Sequence, residues 1–248
     1  MREVTDQELQ IIHEKLFELM CAFKDICEKE NIWYSLDAGT LLGAVRHDGF
    51  IPWDTDVDIT IRLPDKERFR EAFAKHKPKG IGLRNYNTEN KCLQSHDTMY
   101  FEDPQIVEDI HVDVLPLVGA PSDPKTQAWV AKYSSYADKV LRSKYVDISQ
   151  CKKQNKPLVF CAKILDHCFP DSVLRKNIYR RETKYDFETS EYWMVLSCYS
   201  NAESCLPRRI WDTMIPHTFN GVDFMIPAGW DEYLTRVYGP DYMTPKKY

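Results

Sequence analysis

Three aspartates, Asp54, Asp56 and Asp58, alternate in the segment GFIPWDTDVDITI, which spans residues 49–61. Alternate residues of a strand share one face, so Asp56 and Asp58 are expected to point the same way in a strand predicted over Asp56–Arg62. Two carboxylates this close oppose each other's ionisation unless a cation lies between them. The spacing therefore predicts a cation site, and oxygen ligands of this kind favour Mg²⁺ or Mn²⁺.

A further carboxylate, Asp113, lies between Val112 and Val114 in the otherwise apolar stretch IHVDVLPL. Taken alone, Asp113 fits a strand end that faces solvent as well as it fits a functional site. If its strand lies beside the first one, however, three aspartates converge on one point. We therefore predict that Asp56, Asp58 and Asp113 are the metal ligands and the catalytic residues.

Other aspartate motifs fit this segment less well. An EF-hand loop from Asp54 needs glycine at its sixth position and glutamate at its twelfth, where the sequence has Ile59 and Asp65. Aspartyl-nucleophile phosphatases share the letters of DVDIT, but their aspartates follow an apolar strand, whereas here the apolar run comes afterwards. A D-x-D site of the sugar-nucleotide glycosyltransferase type is not excluded by these residues alone.

The upstream segment DAGTLLGAVR adds a candidate phosphate-binding turn between a predicted strand and a predicted helix. Gly39 lets the backbone approach a phosphate, and the hydroxyl of Thr40 and the following amides can donate to it. Arg46 follows about two helical turns later and can bind a phosphate through two hydrogen bonds. Together with the D-x-D and the lone Asp113, this is the organisation of a nucleotidyltransferase site.

The elements that must position these residues follow from the hydrophobic pattern and the turn signals. The pattern predicts a helix from a capping box at Thr5 to about Lys29, a hairpin at Asn220-Gly221 and a last helix closed by Gly239. It also predicts a helix over 66–75, strands in GIGLRNYN, DTMYFED and IHVDVLPLV, and helices over 125–142 and 158–186 with a break at Pro170.

The predicted fold class is α/β, in the α+β sense, with a mixed sheet flanked by helices and a helical C-terminal half. We expect a single domain over residues 1–248, with a catalytic sheet core at 1–120. Residues 121–248 are expected to form a mainly helical part that ends in a hairpin and a helix.

Composition narrows the function classes. The net charge of −5 argues against binding to nucleic acid through bulk electrostatics. No apolar run has the length of a membrane span, and the polar first residues do not resemble a signal peptide. The eight cysteines contain no C-x-x-C pair, which is typical of reduced thiols in a cytosolic protein. The cluster of Cys151, Cys161, His167 and Cys168 lacks zinc-ligand spacing, and no metal is predicted there.

Three blocks of the sequence resemble one family. AGTLLGAVRHDGFIPWDTDVDI resembles the signature of the LicD family, whose better-known members are phosphocholine transferases and whose relatives include fukutin-type phospho-alditol transferases. HVDVLPL resembles the third-aspartate strand of that family, and FNGVDFMIPAGWDEYLTRVYGPDYMTP resembles its C-terminal signature. The resemblance reaches both ends of the chain, and the first block is long and highly specific.

The resemblance implies a nucleotidyltransferase-like fold and a role for each matching residue. Asp56, Asp58 and Asp113 would be the metal triad, Gly39 and Thr40 the phosphate-binding turn, and Arg46 and His47 a phosphate ligand and a further site residue. Thr55 departs from the pattern, since many members have a third consecutive aspartate there. Its side chain is expected to point away from the metal face. Whether Tyr238, Gly239 and Tyr242 close the site or only end a helix stays open.

The implied reaction transfers a phosphorylated alcohol from a CDP-linked donor to a glycan hydroxyl and releases CMP, with Mg²⁺ or Mn²⁺ as cofactor. For a choline donor, the quaternary ammonium should meet an aromatic face, and Trp53 is the only aromatic residue that the sequence places beside the aspartates. The alternatives are ribitol- or glycerol-phosphate transfer, an NMP-adding nucleotidyltransferase that releases pyrophosphate, and a nucleotide-binding scaffold. The intact aspartate pair, together with the third aspartate, argues against the nucleotide-binding scaffold.

The expected location is cytoplasmic. A lipid-linked acceptor, met by peripheral association with the inner face of the membrane, is a hypothesis drawn from the family. Lys132, Lys139, Arg142 and Lys144 in the middle predicted helix are interpreted as a solvated face, with contact to an anionic acceptor as the alternative.

Overall fold

The computed structural model describes residues 5–85, 95–106, 110–143, 148–151, 156–196 and 204–245. The chain divides into two compact units. The first contains Met1–Leu83, Thr98–Pro116 and Leu206–Tyr248, and the second contains Arg84–Asp97 and Leu117–Cys205.

Helices and strands alternate along the described residues. The helices are α1 (Asp6–Lys29), α2 (Ala38–His47), α3 (Lys66–His76), α4 (Pro124–Ser143), α5 (Lys156–Cys168), α6 (Asp171–Glu182) and α7 (Trp230–Tyr238). The strands are β1 (Tyr34–Leu36), β2 (Asp58–Arg62), β3 (Ile81–Arg84), β4 (Asp97–Phe101), β5 (His111–Ala120), β6 (Tyr192–Val195), β7 (Cys205–Pro207), β8 (Met214–Phe219) and β9 (Val222–Pro227). Within the described ranges, short 3₁₀ helices cover Leu63–Asp65, Ile148–Gln150 and Arg208–Trp211.

The first helix begins at the predicted capping box. The hydroxyl of Thr5 accepts a hydrogen bond from the Glu8 amide (3.3 Å), and the Glu8 carboxylate accepts one from the Thr5 amide (2.9 Å). Its apolar stripe, which includes Leu16, Leu19 and Phe23, is fully buried. The helix therefore serves as the scaffold that the sequence predicts.

The strands of the first unit follow the order β1-β2-β5-β4-β3. Strands β1 and β2 are antiparallel, with Leu36 opposite Ile59, and both side chains are buried in the core. Strand β2 begins at Asp58 rather than at the predicted Asp56, so Asp56 lies in the preceding loop. The amide of Asp113 on β5 donates to the carbonyl of Val57 (2.9 Å). The strand of the lone aspartate therefore does lie beside the D-x-D strand.

The predicted hairpin is formed by β8 and β9, which are antiparallel. Asn220 and Gly221 at its tip both have positive φ, 49° and 82°, which is the geometry of a type I′ turn and the reason for the Asn-Gly pair. The last helix ends at Gly239, which has a φ of 89°, as the sequence predicts.

The second unit contains the predicted helical stretch. Residues 117–120 of β5 pair antiparallel with β6. Helices α4 and α6 are joined by an ion pair between the buried side chains of Arg181 and Asp138 (2.6 Å), and Leu141, Ile178 and Leu174 pack together between them. Helix α6 begins after Pro170, where the sequence predicts a break.

The predicted α/β class is confirmed, while the single domain of residues 1–248 stays a prediction. The end of GIGLRNYN, residues 86 and 87, and the side chains of Arg142, Lys144 and His167 lie outside the described residues. Cys161 and Cys168 are exposed. Among the described residues, no helix is both long enough and apolar enough to cross a membrane.

Candidate active site

The turn between β1 and α2 consists of one residue, Asp37, which is buried. Its carboxylate does not cap its own helix but accepts a hydrogen bond from the hydroxyl of Tyr233 on α7, 196 positions away. The amide of Ala38 donates to the same hydroxyl oxygen (3.1 Å). Burial raises the pKa of Asp37 to about 6, although the Tyr233 hydrogen bond opposes the shift. A distant helix therefore fixes the start of α2.

Gly39, predicted to belong to a phosphate-binding turn, lies directly against the side chain of Asp54. A Cβ atom at position 39 would be 2.8 Å from the Asp54 Oδ2 atom, so any larger residue would displace this carboxylate. Burial, together with the negative charge of Asp56, raises the pKa of Asp54. The carbonyl oxygen of Asp54 lies 2.7 Å from the Nε2 atom of His13, whose ring stacks on Phe50. The glycine thus brings an acidic loop onto the first turn of α2.

Thr40 connects the helix to the aspartate strand. Its hydroxyl oxygen accepts a hydrogen bond from the amide of Asp58 (2.9 Å), and the side chain is buried. A hydroxyl that accepts one hydrogen bond still has its own proton to donate. Thr40 therefore positions the first residue of β2, and its role toward a phosphate stays a prediction.

Asp58 and Asp113 lie on the neighbouring strands β2 and β5. The Asp113 Oδ1 atom accepts a hydrogen bond from the hydroxyl of Thr98 (3.0 Å) and lies 3.8 Å from the Nε2 atom of His111. The orientation of Asp113 is therefore set by partners on β4 and β5 rather than by solvent.

The pKa of Asp58 is raised well above its ordinary value. The first cause is burial, and the second is the negative charge of the surrounding carboxylates, in the order Asp113, Asp37, Asp56 and Asp54. Among the residues that the structure describes, none of the groups that shift this pKa is a cation. Asp58 is thus the centre of a carboxylate cluster, Asp37, Asp54, Asp56, Asp58 and Asp113, with strong mutual repulsion.

The donor atoms of this cluster suit a hard divalent cation. All are carboxylate oxygens, the ligand type of Mg²⁺ and Mn²⁺, and a bound cation would offset the repulsion around Asp58. Asp58 and Asp113 are held on strands, whereas Asp56 lies exposed on the loop. Within the described ranges, no group of three or more His, Cys, Asp or Glu side chains is placed so that it could hold a metal ion. The metal triad of Asp56, Asp58 and Asp113 stays a prediction.

Arg46 and His47, at the end of α2, form a pair. The Nε–H group of Arg46 donates to the Nε2 atom of His47 (2.9 Å), and an Nη1–H group donates to the carbonyl of Tyr242 (2.8 Å). Burial and the Arg46 charge lower the pKa of His47, which favours the neutral ring that accepts this bond. The pair thus connects α2 to the segment that follows α7.

A cavity of about 160 Å³ adjoins this cluster. It is lined by Gly39, Leu42, Arg46, Ile51, Trp53, Asp54, Tyr238, Asp241, Tyr242 and Thr244. The three α2 residues in this lining, at positions 39, 42 and 46, lie on one face of the helix because they are separated by three and then four positions. His47 is not part of the lining. The structure therefore brings Gly39, Arg46 and Trp53 to one cavity.

Tyr238 connects this cavity to the carboxylates. Burial and the charges of Asp37, Asp58 and Asp54 raise its pKa, whereas Arg46 acts in the opposite direction. The hydroxyl therefore stays protonated and can donate a hydrogen bond at any physiological pH. Tyr238 and Tyr242 both contribute to the wall of this cavity, and their role in closing the site stays open.

Sequence reasoning assigned no role to three residues of this site: Asp37, Asp54 and Tyr233. Asp54 carried a signal, because it continues the alternate spacing of Asp56 and Asp58. Asp37 precedes the glycine turn but resembles an ordinary helix cap. The Tyr233 contact had no local signal, because its partner lies 196 positions away.

Known proteins match this chain across the same regions. The family model for the LicD/FKTN/FKRP nucleotidyltransferase domain matches residues 31–159, a range that contains all five clustered aspartates. The lipopolysaccharide cholinephosphotransferase LicD of Haemophilus influenzae is 29% identical, over 98% of this chain and 93% of its own length. The human and mouse ribitol 5-phosphate transferases FKRP are 50% identical over 40 residues, which are 16% of this chain and 8% of those proteins. The protein thus belongs to the LicD family.

Proposed function

We propose that the protein transfers phosphocholine from CDP-choline to a hydroxyl of a cell-surface glycan, of the lipopolysaccharide or teichoic acid type. The reaction releases CMP and depends on a divalent metal ion. The observation that carries this proposal is the half-buried Asp58, surrounded by four other carboxylates and next to an aromatic cavity. The chain is also similar, over nearly its whole length, to a lipopolysaccharide cholinephosphotransferase.

Asp56, Asp58 and Asp113 would hold the Mg²⁺ or Mn²⁺ ion. When bound, the ion neutralises negative charge on the transferred phosphoryl group. Without a cation, the same residues would repel both one another and a phosphate, since the charges that raise the pKa of Asp58 among the described residues are all carboxylates. The acidic cluster alone is therefore unsuited to a diphosphate and needs a cation to bind one.

Arg46 provides positive charge from the protein itself. It follows Gly39 by seven positions, which corresponds to about 10 Å along the helix axis at 1.5 Å per residue. Its guanidinium is oriented by His47 and by the Tyr242 carbonyl. A CDP-linked donor in this cavity can therefore place phosphate oxygens near Arg46 while its reacting phosphate lies near the carboxylates.

The aromatic wall of the cavity suits a quaternary ammonium group. Trp53, Tyr238 and Tyr242 offer ring faces, and Asp54 and Asp241 add negative charge. An ammonium that has no N–H group cannot form hydrogen bonds and is bound by aromatic faces and carboxylates instead. Ribitol and glycerol, which are rich in hydroxyls, gain nothing from a cation–π contact. This wall favours choline as the alcohol of the donor.

In the transfer step, the acceptor hydroxyl oxygen forms a bond to the phosphorus atom that carries choline. The bond from that phosphorus to the CMP oxygen breaks, and CMP leaves with the electron pair. The proton of the acceptor hydroxyl passes to a carboxylate. Asp113 is the proposed base, because Thr98 and His111 fix one of its oxygens.

Ribitol-phosphate transfer is the second candidate. It is supported by the 50% identity to the ribitol 5-phosphate transferases FKRP, although that match covers 40 residues. The two candidates share the carboxylate cluster and differ only in the alcohol, so the donor series below separates them.

The test is CMP release from CDP-choline, CDP-ribitol and CDP-glycerol, with Mg²⁺, Mn²⁺ or EDTA and with phosphorylated glycan acceptors. We expect metal-dependent turnover of CDP-choline, lost in Asp58→Asn and unchanged in Asp25→Asn, the same change at an exposed position of α1. Trp53→Leu should lower kcat/KM for CDP-choline by about tenfold or more through the lost cation–π contact.

Turnover of CDP-ribitol alone would agree with the proposed mechanism but would show that the donor is CDP-ribitol and not CDP-choline. Release of pyrophosphate from a nucleoside triphosphate would indicate an NMP-adding enzyme instead. Tight nucleotide binding without any turnover would favour a scaffold and overturn the proposal.

A further inference from the structure

The second unit contains a pocket of about 260 Å³ that the proposed chemistry does not use. It is lined by Trp129, Val130, Tyr133 and Ser134 of α4, by Asn177, Arg180 and Arg181 of α6, and by Lys184. Pockets for drug-sized ligands begin at roughly 300 Å³. The space is therefore suited to one or two small rings.

One wall of this pocket is an aromatic platform. Trp129 and Tyr133 are four positions apart on α4 and so lie on the same face of the helix. Their rings are parallel to within 1°, with centroids 5.3 Å apart, and the residues expose 56% and 42% of their surface. The amide nitrogen of Asn177 donates to the Tyr133 hydroxyl (3.3 Å), which holds that ring in place. The rings stack on each other, so these two large, exposed aromatic side chains give the pocket an apolar wall.

The rim of the pocket is positively charged. Arg180 is exposed, and the ammonium of Lys184 lies 4.9 Å from the centre of the Trp129 ring. In the described part of the chain neither residue forms an ion pair. Arg181, in contrast, is buried and its charge is offset by Asp138. The charge available to a ligand is therefore that of Arg180 and Lys184.

We propose that this pocket binds a phosphorylated saccharide, as a docking site for the glycan acceptor that is separate from the carboxylate cluster. The apolar C–H face of a sugar ring packs on the exposed rings of Trp129 and Tyr133, and a phosphate pairs with Arg180 and Lys184. The identity of the saccharide as the acceptor rests on the proposed function. The binding itself rests only on the platform and its charged rim.

The rim and the platform together select among anionic ligands. A bare phosphate would pair with the two cations but leave the rings exposed. A neutral sugar would pack on the rings but leave the two cations without an anionic partner. Only a ligand with both a ring face and an anionic group uses the whole pocket. Lys132 and Lys139, the alternative contacts for an anionic acceptor, are both exposed, and neither lines this pocket.

The test measures binding of a de-acylated, phosphate-bearing lipopolysaccharide oligosaccharide by isothermal titration calorimetry, without donor or metal. Wild-type protein should bind it, and bind both its phosphatase-treated form and inorganic phosphate at least tenfold more weakly. Trp129→Ala and the pair Arg180→Gln with Lys184→Gln should each lower the affinity about tenfold or more. The paired variant should also show a weaker dependence on salt.

Matched controls are available on the same helices. Tyr136→Ala removes an exposed aromatic ring of α4 outside the pocket, and Lys176→Gln removes an exposed cation of α6. Both should bind like wild type, and all variants should keep its melting temperature because the altered side chains are exposed. Equal affinity in Trp129→Ala and Tyr136→Ala would overturn the proposal, as would stronger binding to single-stranded RNA or to anionic vesicles.

The same titration with Asp58→Asn separates this inference from the proposed function. Binding should be unchanged in that variant, because the pocket contains no residue of the carboxylate cluster. If CMP release fails but oligosaccharide binding follows the predicted pattern, the donor chemistry is wrong and the docking site stands. If turnover succeeds and the Trp129 variant binds normally, the docking site is wrong.

Discussion

Asp58 in the first unit and Asp138 in the second are aspartates with contrasting charge environments. Asp138 accepts a 2.6 Å hydrogen bond from the guanidinium of Arg181. The charges that act on Asp58 within the described part of the chain are those of four other carboxylates. A buried charge by itself therefore does not indicate a ligand-binding site. A buried charge that lacks a countercharge does indicate one, because burying an uncompensated charge costs free energy unless a ligand supplies the countercharge.

The backbone shows the same contrast. Among the described residues, the non-glycine positions with positive φ are Asn31, Ala38, Asp48 and Asn220, and all belong to the first unit. Asparagine and aspartate tolerate this conformation, whereas alanine does not. Ala38, with a φ of 44°, starts α2 beside the carboxylate cluster. Unfavourable charge and unfavourable backbone geometry are thus concentrated at one place.

The largest expected effect is on activity. Asp58→Asn should lower turnover by about 10³-fold or more, since it removes a ligand of the proposed metal ion. In EDTA the same variant should be more stable than wild type, because one repelling charge is gone. Activity assays and urea unfolding in EDTA measure the two effects. Lower stability of this variant in EDTA would mean that the charge of Asp58 is compensated, and it would contradict the contrast with Asp138.

Removing the compensated charge should have the opposite effect on stability. Asp138→Asn should lower the free energy of unfolding by about 3–5 kcal/mol, because it leaves the buried Arg181 without a counterion. Urea unfolding measures this loss. The double variant Asp138→Leu with Arg181→Met should recover much of it, since no charge is then left unpaired. A loss in Asp138→Asn below about 1 kcal/mol would contradict the assignment of a structural pair.

The pH dependence should also differ between uncompensated and compensated carboxylates. The pKa of Asp37 is raised to about 6 from 3.8, so its contribution to stability is complete below pH 4 and is lost as the pH rises to about 6. Lys75 and His76 lower the pKa of Glu30 to about 2 from 4.5, so its contribution is lost as the pH falls through that range. The urea midpoint should be measured between pH 3 and pH 7. Asp37→Asn should reduce its dependence on pH in the upper part of this range, and Glu30→Gln should reduce it in the lower part. No change in either slope would contradict these charge environments.

The smallest effect concerns the backbone. Ala38→Gly should raise the free energy of unfolding by up to about 1 kcal/mol, because glycine adopts positive φ without steric cost. The same substitution at Ala22, inside α1, should lower it by about 0.5–1 kcal/mol. Thermal unfolding of both variants measures the difference. Destabilisation by both would show that position 38 is not strained.

Local patterns predicted the elements well. The capping box at Thr5, the break at Pro170 and the hairpin at Asn220-Gly221 each depend on a few neighbouring residues, and each is present. The start of β2 was placed two residues early, at Asp56, because alternation of acids continues beyond the strand into the loop. Pattern alone does not show where backbone pairing stops.

The site was predictable only in part, for the same reason. The D-x-D and the lone Asp113 indicated acids that would converge, and β2 and β5 are neighbours. The approach of Asp54 to Gly39 depends on the path of a loop, and the Tyr233–Asp37 bond joins opposite ends of the chain. Contacts of this kind arise from tertiary packing, which leaves no periodic trace in the sequence.

The Tyr233–Asp37 bond also has a consequence for how the protein is made. The amide of Asn220 donates to the Asp48 carbonyl, so two C-terminal elements hold the loops around α2. During synthesis on the ribosome, Asp37 emerges long before Tyr233. Asp37 therefore lacks this partner until Tyr233, 196 positions later, has been translated. Contacts this distant in sequence also close slowly, and the active site should be among the last parts of the newborn protein to mature.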